Sequence, residues 1–268
     1  MTQRWCLAGV LSVLALACGW SVSAAAEIAS HRALYTMSLA GAKSDSGVVG
    51  ASGTMAYQWG ETCDGWTVEQ RYKLNINYAE SQDVDVVSNF VTWESRDSRS
   101  YRFNQKETRN GSLDEEIRGS ASLEGPDKGG AVNFEKPKPE TMKLPAGALF
   151  PSIHTIQIID KARAGETFFS RQVFDGATVS GSVLVTAVIG PKIDPDSELV
   201  KKSPLLDRPG WRVRLAFFPA DQTAEKPDYE LGMTLLDNGV SRDMKIDYGD
   251  YTIKARLDNI EPLGKPHC

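Results

Sequence analysis

Arg71-Tyr72-Lys73-Leu74-Asn75-Ile76-Asn77-Tyr78 places an apolar or aromatic side chain at every second position, with a polar residue at each step between. A strand turns successive side chains to opposite faces, so this period of two gives one apolar face and one wet face. The same pattern returns in Trp211, Val213, Leu215 and Phe217, interleaved with Arg212 and Arg214. It returns again in Tyr251, Ile253, Ala255 and Leu257, interleaved with Thr252, Lys254 and Arg256, directly after a stripe of Met244, Ile246 and Tyr248. Parallel strands buried on both faces would be apolar throughout, so clean alternation predicts an antiparallel sheet with one face covered.

The connections agree. Asp237-Asn238-Gly239 and Tyr248-Gly249-Asp250 are tight-turn sequences and predict a three-stranded meander at the C-terminal end. Further breaks at Gly60, Asn110-Gly111, Gly125-Pro126, Gly129-Gly130, Asp175-Gly176 and Gly190-Pro191 divide most of the chain into strand-length pieces, roughly a dozen. One segment departs from the pattern. Pro151 to Ala164 has Pro in a first-turn position, isoleucines at helical spacing and Gly165 beyond its end, which predicts one short helix laid against the sheet; its β-branched content leaves a strand as the competing reading. Glu124 to Leu144 and Lys192 to Pro209, rich in Pro, Gly, Lys and Asp, read as long surface loops.

The first residues carry Arg4, an uncharged apolar run from Trp5 to Trp20, and then Ser21-Val22-Ser23-Ala24-Ala25-Ala26 before Glu27. That run is shorter than the roughly 20 residues a membrane span needs and ends in small residues, so residues 1–26 read as a cleavable signal peptide, cut after Ala26 to within a few residues, and 27–268 as a single β domain. Cys18 as a lipidated first residue is the rival reading, weakened by Ala15 where a lipoprotein signal carries Leu. No other segment is long and apolar enough to cross a membrane. Without Arg4, 29 basic residues face 35 acidic ones, and no basic block stands out, which argues against nucleic-acid binding.

Loss of the leader removes Cys6 and Cys18 and leaves Cys63 and Cys268, which should pair in an oxidising compartment. Such a bond would close a loop of 205 residues, worth about 5 kcal/mol in the chain-entropy description. Free thiols or a redox pair are the alternative, although nothing like C-x-x-C is present.

Catalytic patterns are scarce. After the leader there are three histidines, His31, His154 and His267, two of them near chain ends, and the sequence has no G-x-S-x-G, H-E-x-x-H, Walker loop or dinucleotide fingerprint. Alternate carboxylates at Asp83 and Asp85, and at Asp194, Asp196 and Glu198, lack the central Gly and late Glu of a helical calcium loop, so no metal and no cofactor is expected. The aromatic residues are more informative. Tyr57, Trp59, Trp66, Tyr72, Trp93, Tyr101 and Phe103 fall in one β-rich stretch, where they either form core or line a greasy concavity for a lipid-like or peptide ligand.

Taken together, Tyr57-x-Trp59-x-x-x-Cys63-Asp64-Gly65-Trp66, the Leu144-Pro145-x-Gly147-x-Leu149-Phe150-Pro151-x-x-His154 segment, Phe174-Asp175-Gly176 and the terminal Cys268 resemble the envelope integrity protein B family of Gram-negative bacteria. The resemblance implies a periplasmic β-spiral: a strongly curved antiparallel sheet wrapped around a helix, enclosing a hydrophobic cavity, similar in shape to lipoprotein carriers. It also implies a non-catalytic role in envelope maintenance under stress and a periplasmic tetratricopeptide-repeat partner. On this reading Phe150, Pro151 and His154 seat the helix, and Tyr57, Trp59, Trp66 and Tyr72 line the pocket or its hairpin. Two other functions stay open: a lipid or lipoprotein carrier, and a hydrolase of cell-wall glycan or peptide.

Overall fold

The computed structural model describes residues 26–125, 127–219 and 225–268. The expected leader therefore lies outside the described residues, apart from Ala26. Fourteen strands form one continuous, curved, unclosed antiparallel sheet. In chain order they are β1 (His31–Ala42), β2 (Val48–Glu61), β3 (Gly65–Tyr78), β4 (Val84–Ser95), β5 (Ser100–Arg109), β6 (Ser112–Leu123), β7 (Gly130–Lys136) and β8 (Glu140–Leu144), then β9 (Phe168–Val173), β10 (Val183–Ile193), β11 (Gly210–Phe218), β12 (Tyr229–Leu236), β13 (Ser241–Asp247) and β14 (Tyr251–Pro262). Two helices, α1 (Pro151–Arg163) and the single-turn α2 (Ser197–Val200), complete the elements together with a 3₁₀ turn at Pro204–Leu206.

The spatial order β8-β7-β6-β5-β4-β3-β2-β1-β14-β13-β12-β11-β10-β9 has one crossover in kind: the first strand pairs with the last. Every other neighbouring pair is consecutive in sequence. The hairpin turns follow backbone chemistry; between β5 and β6, Asn110 and Gly111 both take positive φ (51° and 80°), the pair of left-handed residues a two-residue type I′ turn requires. The two edges nearly meet. After β8 the chain runs back along the outer side of β9, where Leu149 N–H donates to the Gln172 carbonyl and Phe174 N–H donates to that of Leu149, both at 2.9 Å.

Inside this curve α1 lies where the sequence places it. Pro151 sits in the first turn, Lys161 and Arg163 stand in the last turn, where the helix dipole favours cations, and Gly165 follows with φ of 77°. Ile156, Ile158, Ile159 and Ala162 pack with Trp59, Trp66, Val185, Val213 and Leu235 in one cluster. A second cluster joins β1, β2, β3, β13 and β14 through Tyr35, Met55, Leu74, Ile253 and Ala255, and a third stacks Tyr101, Phe103, Phe134, Phe150 and Phe174 beneath β5 to β8.

Two segments read as loops are structured. Glu124 to Leu144 contains β7 and β8, whose inward residues Val132, Phe134 and Leu144 are buried. Their period-two signal is only two residues long in each strand, between charged neighbours, and the propensity of Lys, Glu and Pro masks it. Lys192 to Pro209 contains α2, capped by Asp196, whose Oδ1 accepts from Glu198 and Leu199 N–H, and the 3₁₀ turn that buries Leu206. His31, taken as a residue near a chain end, opens a strand at the middle of the sheet and is 1 % exposed, because β1 is the seam between the first and last hairpins.

Candidate functional site

The inner side of the sheet has a fully buried part around α1 and a part, around Glu107, where aromatic residues keep solvent exposure. In the buried part, helix α1 has no side-chain cap of its own, since Phe150 occupies the cap position. Glu94 on β4 replaces it. Its carboxylate accepts from Ser152 N–H at 2.7 Å and Ile153 N–H at 3.1 Å, satisfying two of the helix's orphan donors from a strand 58 residues earlier in the chain. The side chain is 1 % exposed, and burial raises its pKa to about 7 against the opposing pull of those two N–H groups. No local sequence pattern marks Glu94, because its partner is supplied by the tertiary fold.

Phe150 is fully buried and stacks on Tyr101 with centroids 4.9 Å apart. His154, 5 % exposed, lies over Phe169 at 5.6 Å, and its Nε2 has no hydrogen-bond partner. Burial, helped by Arg171, lowers the imidazole pKa to about 4, so the ring is neutral. Gly176, in the Phe174-Asp175-Gly176 motif, has φ of 72°, and a Cβ there would come within 2.4 Å of the Phe103 ring. Asp175 uses its carbonyl to accept the Tyr101 hydroxyl at 2.7 Å. This motif therefore locks the third aromatic cluster to the β9 edge.

The four aromatics singled out in sequence go to different places. Trp59 and Trp66, 6.0 Å apart, are buried against α1. Tyr57 is partly buried between the first two clusters. Tyr72 alone belongs to the part that keeps solvent exposure, where its hydroxyl donates to Glu107 at 2.9 Å. Cys63, in the β2–β3 turn, and Cys268 stand with Cα atoms 5.6 Å apart, paired in the geometry of a disulfide that ties the C-terminal extension to the aromatic hairpin.

Around Glu107 gather aromatic residues of which the sequence marks Tyr72 as a pocket candidate and Phe217, Tyr248 and Tyr251 as stripe positions, while Tyr229 carries no sequence signal. Phe217 stacks on Tyr229 at 4.3 Å, Tyr229 approaches Tyr248 at 6.3 Å, and Tyr248 approaches Tyr251 at 5.2 Å. Tyr72 comes from β3 and Tyr251 from β14, strands separated by two others, so the curvature of the sheet brings them to one region. Burial raises the pKa of all these phenols, to about 12 at Tyr248, and the Glu107 carboxylate adds to the rise at Tyr72, Tyr248 and Tyr251. Yet Tyr248 keeps 44 % of its surface exposed and Tyr72, Tyr229 and Tyr251 are only half-buried. The group forms an aromatic wall with hydroxyls and a carboxylate, open to solvent.

The alternate carboxylates, which lack a calcium-loop pattern in the sequence, engage protein groups. Asp83 accepts from the Asn77 amide and Asp85 from that of Asn75, while Glu198 pairs with Lys201. Two surface depressions, of about 290 and 430 Å³, lie on the sheet; the first is lined by Leu34, Tyr57 and the ion-paired Arg32, Glu261, Glu69 and Arg71, the second by Thr54, Lys73 and Asp85.

A profile of the EipB-like family matches residues 22–264. The chain belongs to the EipB-like family. Within it, the cell envelope integrity protein EipB of Brucella abortus (strain 2308) is 31 % identical over 245 residues, covering 90 % of this chain and 86 % of that protein. A crystal structure described as a β-barrel-like protein of domain of unknown function DUF1849 from Brucella abortus superposes with a TM-score of 0.82 at 30 % identity, covering 90 % of this chain and all of the other. The EipB-like fold is thus shared along nearly the whole described chain. Among the described residues no helix is long and apolar enough to cross a membrane.

Proposed function

We propose that this EipB-like protein is exported to the periplasm and supports envelope integrity without catalysis, by holding an amphipathic ligand against the tyrosine wall of Tyr72, Tyr229, Tyr248 and Tyr251. The observation that carries the reading is that these four rings form one group, linked through Tyr229–Tyr248, Tyr248–Tyr251 and the Tyr72–Glu107 hydrogen bond, that stays half-buried or exposed, whereas Trp59, Trp66, Tyr101 and Phe103 on the same sheet are buried. Tyrosine offers an apolar ring face with a hydroxyl at its tip, which suits a molecule with both acyl and polar parts. The relative's name supports the envelope role.

A hydrolytic reading would look first to Glu94, whose pKa of about 7 is that of a general acid. Its two oxygens, however, are taken up by helix N–H groups in a site closed to solvent, which makes it an anchor. A second reading, docking of a periplasmic partner protein, draws support from Phe168 and Val188, 59 % and 55 % exposed and paired in register on the edge strand β9 and its neighbour β10.

Native mass spectrometry and lipid extraction of protein taken from its own periplasm test the ligand reading. A stoichiometric amphiphile that disappears in Tyr248→Ala is the expected result. Transfer of that amphiphile between membrane vesicles would make the protein a carrier. A bare chain whose Phe168→Ser variant loses a co-purifying protein would replace the ligand reading with docking.

A further inference from the structure

Ahead of β1 the chain lies across the buried part around α1. Ala26 and Ile28 are each 5 % exposed and belong to the cluster around α1. Ile28 lies against Gly239, where an added Cβ would come within 2.6 Å of its Cγ2, and Ala29 N–H donates to the Asn238 carbonyl at 2.9 Å. At the start of this strap, the backbone nitrogen of Ala26 stands 2.8 Å from Oδ1 of Asp160 in the last turn of α1.

A carboxylate in the last turn of a helix is disfavoured by the dipole unless a cation faces it. Arg163 Nη1, 3.7 Å from the same oxygen, is the nearest cation on the helix itself, but Arg163 also reaches Asp237 at 3.5 Å, which Arg208 approaches at 3.4 Å. The line thus alternates Arg208, Asp237, Arg163, Asp160, and ends on the Ala26 nitrogen, the position where one more positive charge completes it.

We infer that the leader is cut between Ala25 and Ala26, and that the α-ammonium released there is held by Asp160. The inference rests on the export reading above. In the cut, a signal peptidase adds water across the Ala25–Ala26 peptide bond; the oxygen leaves with Ala25 as its carboxylate, and the Ala26 amine takes up a proton. Ser23 and Ala25 then occupy the small-residue positions before the cut. A cut one residue later would discard buried Ala26 and take the donor from Asp160. The amide donor becomes a charged one, and charge-assisted hydrogen bonds are about twice as strong as neutral ones.

Intact mass and N-terminal sequencing of the exported chain test the position. The expected mature sequence begins Ala-Glu-Ile-Ala-Ser; a chain beginning at Glu27 or Ala25 overturns the inference and leaves export intact, whereas an uncut chain overturns export itself. The ion pair is tested by inserting one Gly between Ala25 and Ala26, which keeps the Ala26 N–H but moves the charge away, with and without Asp160→Asn. Each change alone should lower Tm by about 2–4 °C, and the two together by little more than one. Equal and additive losses, or none, would show that no ion pair forms.

Discussion

Two parts of the same curved sheet treat their inward residues in opposite ways. Where α1 lies, Trp59, Trp66, Ile156, Ile158 and Ile159 are all under 9 % exposed. Around Glu107, Tyr72, Tyr229 and Tyr251 occupy inward positions of their strands, Tyr248 joins them from the turn between β13 and β14, and all four remain half-buried or exposed. The alternation of the strands is the same in both. The difference comes from the helix, which is short and covers only part of the concavity, and the residue types agree with it: aliphatics and Trp where water is excluded, tyrosines where hydroxyls meet solvent or Glu107. One part stabilises the fold, and the other is the part to which the proposed function assigns a ligand.

The largest effect expected from this division is on stability in the buried part. Ile159 is fully buried in the cluster that also holds Trp59 and Trp66, and Ile159→Ala should cost about 2–5 kcal/mol through lost burial and the cavity it leaves. Thermal unfolding followed by circular dichroism measures it, at about 2–4 °C for each kcal/mol in a chain of this size. A cost below about 1 kcal/mol would mean that the helix half is as loosely packed as the tyrosine half, and the contrast would fail.

A smaller effect concerns the anchor of that helix and its dependence on pH. Glu94, with a pKa raised to about 7, contributes stability that is fully present below its ordinary value of 4.5 and is lost as pH rises through 7. His154, lowered to about 4, and His31, lowered by burial, act in the opposite sense: their contribution is present above 6.5 and is lost as pH falls. The slopes oppose each other between about pH 4.5 and 6.5. Glu94→Gln removes one of them, so its stability should rise with pH across this window more steeply than that of the parent, by up to about 1.4 kcal/mol per pH unit. Denaturant midpoints at pH 5, 6 and 7 would show it; parallel profiles would remove Glu94 as a titrating anchor.

The two parts were also unequally legible. Tyr72 to Tyr78, Trp211 to Phe217 and the meander from Leu231 to Leu257 declare themselves by period two and by glycine turns, and α1 by Pro151 and Gly165, because these signals are local. The strands β7 and β8 were obscured because only Val132, Phe134 and Leu144 there are buried among charged neighbours. Glu94 could not be read at all, and of the tyrosine wall only Tyr72 was marked as a pocket candidate, without its partners. Each depends on which strands the curvature brings together: a carboxylate on β4 meeting a helix N-terminus, or Tyr72 on β3 meeting Tyr248 and Tyr251 beside β14.

The smallest stability effect should belong to the residue with the largest binding effect. Tyr248 is 44 % exposed, and its ring touches Tyr229 and Tyr251 without filling a closed core. Exposed substitutions of this kind usually shift stability by no more than about 0.5 kcal/mol, so Tyr248→Ala should melt close to the parent while losing bound amphiphile. Ile159→Ala, measured below its melting range, should do the reverse and retain it. If Tyr248→Ala were instead as destabilising as Ile159→Ala, the tyrosines would be core residues that happen to reach the surface, and the sheet would have a single interior.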